Sequence, residues 1–126
     1  MNFSNTQIIV FALVLIAVGV IRRVLMRSFA PAAERDVRVL LEAGALLVDV
    51  RSHEEFGQDH FSGARSIPLP ELSRRIGEVG GADDPILVYC NTGRRSGIAL
   101  AHLRKQGYRN ARNAGGLKRL RAVAGG

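Results

Sequence analysis

Residues 85–103 read PILVYCNTGRRSGIALAHL, and this stretch decides the fold. Its first part, Pro85–Cys90, is a short apolar run of the kind that fills a buried parallel strand. The later part, continued to Tyr108 as SGIALAHLRKQGY, has the spacing of an amphipathic helix. That helix is expected to begin near Ser96, to pack through Ile98, Leu100, Ala101 and Leu103, and to stop at Gly107. Between the two lies NTGRR, with Gly93 free to take backbone angles that other residues avoid. Strand, loop and helix together place Cys90 at the carboxyl end of a strand, where open α/β sheets bind ligands.

The flanking sequence repeats the alternation. APAAERDVRVLLEAG, residues 30–44, reads as a helix with Pro31 in its first turn, an apolar stripe of Val37, Leu40 and Leu41, and Gly44 at its end. ALLVDV, residues 45–50, is a second buried-type strand. SHEEF then carries a capping box, Ser52 with Glu55 three residues on. A short strand is expected over Ser66–Leu69, ended by Pro68 and Pro70, and PELSRRIGEV reads as a further short helix closed by Gly80 and Gly81. RNARNAGG gives a last strand and turn, and LKRLRAV a brief terminal helix. Strands separated by helices imply an α/β fold with an open, mainly parallel sheet flanked by helices.

The N-terminus is different in kind. No charged side chain occurs before Arg22, and Ile8–Ile21 is uninterrupted apolar sequence. As a helix those residues alone would span about 21 Å, against a hydrocarbon layer of roughly 30 Å; a start at Phe3 extends the span to about 28 Å. Val24, Leu25 and Met26 lengthen it further, with Arg22 and Arg23 snorkelling. A cleaved signal peptide would need a positive start and a small-residue cleavage site, and arginines stand there instead. The reading is one transmembrane anchor with its basic flank over residues 1–27, a linker over 28–33 and a single domain over 34–126. Arg22, Arg23 and Arg27 follow the span and nothing positive precedes it, so the domain is expected on the cytoplasmic side of the cell membrane.

The chain of 126 residues has a net charge of +7, yet its basic residues are scattered and its aromatics few, which argues against a nucleic-acid partner. Cys90 is the only cysteine, so no internal disulfide is possible, and one Cys with three scattered His makes no zinc site. Most cysteines that end apolar strands are inert core residues. The neighbours of this one argue otherwise, because a structural thiol has no use for two cations beside it. A loop curled around Gly93 can aim several N–H groups at one point, the following helix adds the positive end of its dipole, and Arg94 and Arg95 add full charges. All of these favour thiolate over thiol.

CNTGRRS resembles the active-site loop of the rhodanese (thiosulfate sulfurtransferase) family in its single-domain form, whose pattern is Cys-x-x-Gly-x-Arg followed by a small residue. Cys90, Gly93, Arg95 and Ser96 fall on that pattern. LLVDVRSHEEFGQDHFSGARSIPL is similar to a second block of the family through Asp49, Val50, Arg51, Glu55, Phe56, His60, Gly63, Ala64, Ile67 and Pro68, and Gly115-Gly116-Leu117 resembles its late Gly-Gly-apolar turn. The resemblance implies transfer of sulfane sulfur from a small anionic donor such as thiosulfate, through a persulfide on catalytic Cys90, to a thiol or protein acceptor. Asn91, Thr92, Gly93, Arg94, Arg95 and Ser96 would bind the substrate, Arg94 facing solvent to draw anions in. No metal or organic cofactor is required. Asp49 and Arg51 are expected as a structural pair steadying the loop, His53 and His60 as hydrogen-bonded structural residues rather than bases, and His102 as surface or packing. Two other readings compete. A phosphatase or arsenate reductase would use a similar Cys–Arg cradle, but its loop needs a longer interval than the four residues between Cys90 and Arg95. A membrane-tethered persulfide carrier or docking module would hold the sulfur with little turnover.

Overall fold

The computed structural model describes residues 3–27 and 29–125. Met1 and Asn2 of the expected anchor, Ser28 of the expected linker and Gly126 at the end of the expected domain lie outside the described residues. The elements are α1 (Asn5–Arg27), α2 (Glu34–Glu42), β1 (Leu46–Asp49), α3 (His53–Gln58), β2 (Arg65–Ser66), β3 (Ile86–Cys90), α4 (Arg94–Lys105), β4 (Ala111–Gly116) and α5 (Leu117–Val123). Two 3-10 turns, Leu69–Glu71 and Ile76–Val79, connect β2 to β3.

The four strands form one wholly parallel sheet in the order β2-β1-β3-β4. Because β1 and β3 are central, they are buried on both faces, and apart from Asp49 at the end of β1 their sequences are continuously apolar. Alternate residues of β3 feed two cores. Ile86, Val88 and Cys90 pack with Val48, Val50, Leu72 and the α4 residues Ala99, Leu100 and Leu103. Leu87 and Tyr89 pack with Val37 of α2 and with Leu117, Leu120 and Val123 of α5. Each fully buried Leu or Val contributes about 1.5–3 kcal/mol. Two packed faces therefore fix β3 firmly, and with it the position of the thiol at its tip.

Four expectations are corrected. The helix after the linker begins at Glu34, not at Pro31, whose ring instead lies against Gly115. The helix expected over PELSRRIGEV is two 3-10 turns, because Pro70 and Gly77 leave no stretch long enough to sustain an α-helix. The strand expected over Ser66–Leu69 is the two-residue β2, Arg65–Ser66. The helix after the Cys loop begins at Arg94 rather than near Ser96, since Gly93 turns the chain at φ +90° and Ser96 falls inside the first turn. The face of α4 that packs on the sheet is Ser96, Gly97, Ala99, Leu100 and Leu103, so Ile98 and Ala101, expected in the core, are instead exposed. The capping box of α3 forms as read, with Ser52 Oγ accepting from Glu55 N–H and Glu55 accepting from Ser52 N–H.

Helix α1 runs unbroken for 23 residues, about 35 Å at the usual helical rise. Every described residue in it is exposed, including Ile8, Phe11, Leu15 and Ile21. It is long and apolar enough to cross a membrane.

Candidate active site

Cys90 ends β3 with its side chain 1 % exposed. Its sulfur accepts a hydrogen bond from Gly93 N–H at 3.0 Å and lies 3.4 Å from Ser96 Oγ. The loop can close this tightly because Gly93 adopts φ +90°, where a side chain would be strained and would press on Gly115 Cα. Burial by itself pushes the Cys90 thiol up. The Ser96 hydroxyl and the backbone N–H groups of Ser96, Thr92 and Gly93 more than offset that, so the thiol titrates below its ordinary range.

The far side of the loop is braced by carboxylates. Asp49, fully buried at the end of β1, holds Arg51 through bonds of 2.7–3.1 Å. Arg51 in turn donates to Asn91 Oδ1 at 3.1 Å and to the Asp59 carbonyl at 2.5 Å. This is the loop-holding role expected of the pair. Glu55 receives the Arg95 guanidinium through two bonds, 2.7 and 3.0 Å, and Asn91 Nδ2 at 2.8 Å. The hydrogen bonds from Arg95 outweigh burial and hold the Glu55 carboxyl at about 2. Arg95 is half-exposed at the rim, with its guanidinium paired to Glu55. Thr92 and Arg94 are exposed on the outer surface of the loop.

From the other edge, β4 supports the cradle. A register shift between Val88 and Tyr89 gives β4 one extra residue, so Asn113 lies opposite Val88 and Gly115 opposite Tyr89. Asn113, 1 % exposed, accepts from Ser96 Oγ at 2.7 Å and donates to the Gly93 carbonyl at 3.0 Å. Gly116 comes so close to Asn91 that a Cβ there would overlap the Asn91 carbonyl. Beside the loop, a pocket of 420 Å³ is lined by Arg51, Asp59, Asn91, Leu117, Lys118 and Arg121.

The fold therefore gathers Cys90, Gly93 and Ser96 at the sulfur, and Asn91, Thr92, Arg94 and Arg95 around its rim. The histidines have other partners. His60 stacks on Phe56 at 3.8 Å and bonds its carbonyl, His53 meets Glu71 at 2.6 Å, and His102 meets Ser73 at 3.3 Å. Sequence reasoning passed over the roles of Glu55 and Asn113 at the site. The signal for Asn113 was an uncapped polar residue in mid-strand; that for Glu55 was hidden behind its capping box.

The rhodanese-like domain family matches residues 34–122, which hold the whole sheet, the Cys loop and its braces. The chain belongs to the rhodanese family. Among curated relatives, this rhodanese-like chain is 47% identical over 72 residues to thiosulfate sulfurtransferase PspE of Escherichia coli, covering 56% of its own length and 69% of PspE. It is 33% identical over 97 residues to thiosulfate sulfurtransferase GlpE of Pseudomonas aeruginosa, covering 76% of itself and 87% of GlpE. Among solved structures, an Escherichia coli rhodanese with anions superposes with a TM-score of 0.57 at 45% identity, over 60% of this chain and 89% of that one.

Proposed function

We propose that this rhodanese is a sulfurtransferase that carries sulfane sulfur on Cys90 from a small anionic donor such as thiosulfate to a thiol or protein acceptor. The observation that carries the reading is the Cys90 sulfur itself, buried at a strand tip, bonded by Gly93 N–H and 3.4 Å from the Ser96 hydroxyl oxygen. The names of PspE and GlpE agree with it.

In the first half-reaction the Cys90 thiolate attacks the outer sulfur of thiosulfate. The S–S bond of the donor breaks, sulfite leaves with the electron pair, and a persulfide anion forms on Cys90. In the second, a nucleophile such as cyanide or a thiolate attacks the outer sulfur and regenerates the Cys90 thiolate. Every species in the cycle is anionic, so fixed donors that need no reorganisation are what the chemistry requires. Gly93, Thr92 and Ser96 supply amides, Asn91 and Arg95 line the rim where the donor's oxyanion arrives, and Arg94 raises the local anion concentration. Helix α1 anchors the domain in the cell membrane, and the arginines at its end hold the domain on the cytoplasmic side.

Intact-mass spectrometry after thiosulfate treatment tests the reading. Wild type gains the mass of one sulfur atom and loses it on adding cyanide, with thiocyanate formed; Cys90→Ala gains nothing. Wild type without the adduct would overturn the proposal.

A further inference from the structure

The Ser96 hydroxyl has one proton and two acceptors within reach. Asn113 Oδ1 lies at 2.7 Å and Cys90 Sγ at 3.4 Å. The orientation of the Asn113 amide is fixed by backbone. Its Oδ1 accepts from Gly115 N–H at 2.9 Å, and its Nδ2 donates to the carbonyls of Gly93 at 3.0 Å and Phe29 at 3.4 Å. The carbonyl end therefore faces Ser96, and Ser96 must be the donor in that contact. While the Ser96 proton is on Asn113, the hydroxyl can offer Cys90 only a lone pair, which suits a thiol S–H and not a thiolate.

We propose that Asn113 is a positioning residue for sulfur transfer: its side-chain carbonyl is the resting acceptor of the Ser96 hydroxyl proton, which turns to Sγ whenever that sulfur carries charge. With Cys90 as a thiol, S–H donates to Ser96 and Ser96 donates to Asn113. When the thiol proton is lost to water, the Ser96 hydroxyl rotates onto Sγ. Asn113 Oδ1 then keeps its bond from Gly115 N–H, so no buried acceptor is left bare. In the persulfide the charge moves to the outer sulfur, and the hydroxyl returns to Asn113. When the acceptor takes the outer sulfur, Sγ becomes the leaving thiolate and the hydroxyl swings back. In the second half-reaction charge builds on Sγ as the outer sulfur is taken, so the Ser96 bond is stronger in that transition state than in the persulfide, which is the differential stabilisation that speeds a step.

This rests on Cys90 as the reacting sulfur, and its test is a double-mutant cycle on the full chain in detergent. The Cys90 ionisation constant is measured from thiolate absorbance and from the pH dependence of its alkylation rate in wild type, Ser96→Ala, Asn113→Ala and the double variant. Ser96→Ala lowers the ionisation constant. Asn113→Ala removes the competing acceptor, so with Ser96 present it favours thiolate by about two- to tenfold more than it does with Ala at 96. Equal shifts in the two backgrounds overturn the inference. If Asn113→Ala does not fold, Asn113→Asp replaces it: a carboxylate accepts more strongly, so the coupling has the opposite sign, and equal shifts again refute it. A cycle without coupling in a chain that still forms the persulfide removes this inference alone; absence of the persulfide removes the functional reading instead.

Discussion

The Glu55 carboxylate accepts from the Ser52 amide and hydroxyl on its own helix and from Asn91 and Arg95 across the site. One side chain thus caps α3 and ties the rim of the Cys loop to it. Its pKa is depressed to about 2, so the stabilisation it brings is fully present above pH 4.5 and is lost as the pH falls through about 2. Glu55→Gln is expected to cost about 1 kcal/mol at neutral pH, a figure limited by the partial exposure of the pair. The cost should vanish as the pH approaches 2; urea unfolding of both proteins between pH 7 and 2 measures it, and a constant difference would contradict the assignment. Glu55 also shows what a single chain lets one read. Its capping role is local and follows from Ser52 three residues earlier, whereas its bond to Arg95 spans 40 residues and depends on where the sheet delivers two strand tips. Cys90, Gly93 and Ser96 were legible as a group because they are close in sequence. Asn113 reaches the same loop from another strand, through Ser96 and Gly93, and a polar residue in mid-strand does not by itself say which loop it meets.

At the level of elements, the site is a meeting of β3 and β4. Cys90 pairs with Gly116, and the extra residue in β4 brings Asn113 and Gly115 round to the loop. Any side chain at 116 would occupy the space of the Asn91 carbonyl. Gly116→Ala must therefore push the loop off β4. It should lower stability by about 2–4 kcal/mol, which denaturant titration reads, and reduce thiosulfate turnover. A variant as stable and active as wild type would show that the close approach is dispensable. β1, β3 and the body of α4 were readable from apolar runs and spacing, since those patterns are set by burial against a sheet. The bulge was not, because it follows from close contact between segments far apart in the chain, and the early start of α4 depends on the backbone angle Gly93 takes, which its residue type permits but does not fix. The 3-10 turns replaced an expected helix for a local reason, Pro70 and Gly77, that outweighed its apolar spacing.

For the molecule as a whole, α1 and the domain divide the sequence by solvent. The domain buries its apolar residues against one sheet, while α1 leaves all of its own uncovered. Alkaline carbonate should leave the chain in the membrane pellet, and a C-terminal reporter should work only in the cytoplasm; a soluble chain or an exported reporter would reverse the assignment. The connection between α1 and the domain is short. Phe29, two residues past the end of α1, already bonds Asn113, and Ala32 bonds both Asn113 and Arg119. With the proposed anchoring, a donor must come to the lipid surface rather than meet the enzyme in bulk solution. A surface potential of roughly −30 mV thins out a dianion about tenfold there. The arginines that close α1 and the cations of the domain lie where they counter that depletion, so donor capture should depend on the anionic lipid content around the enzyme.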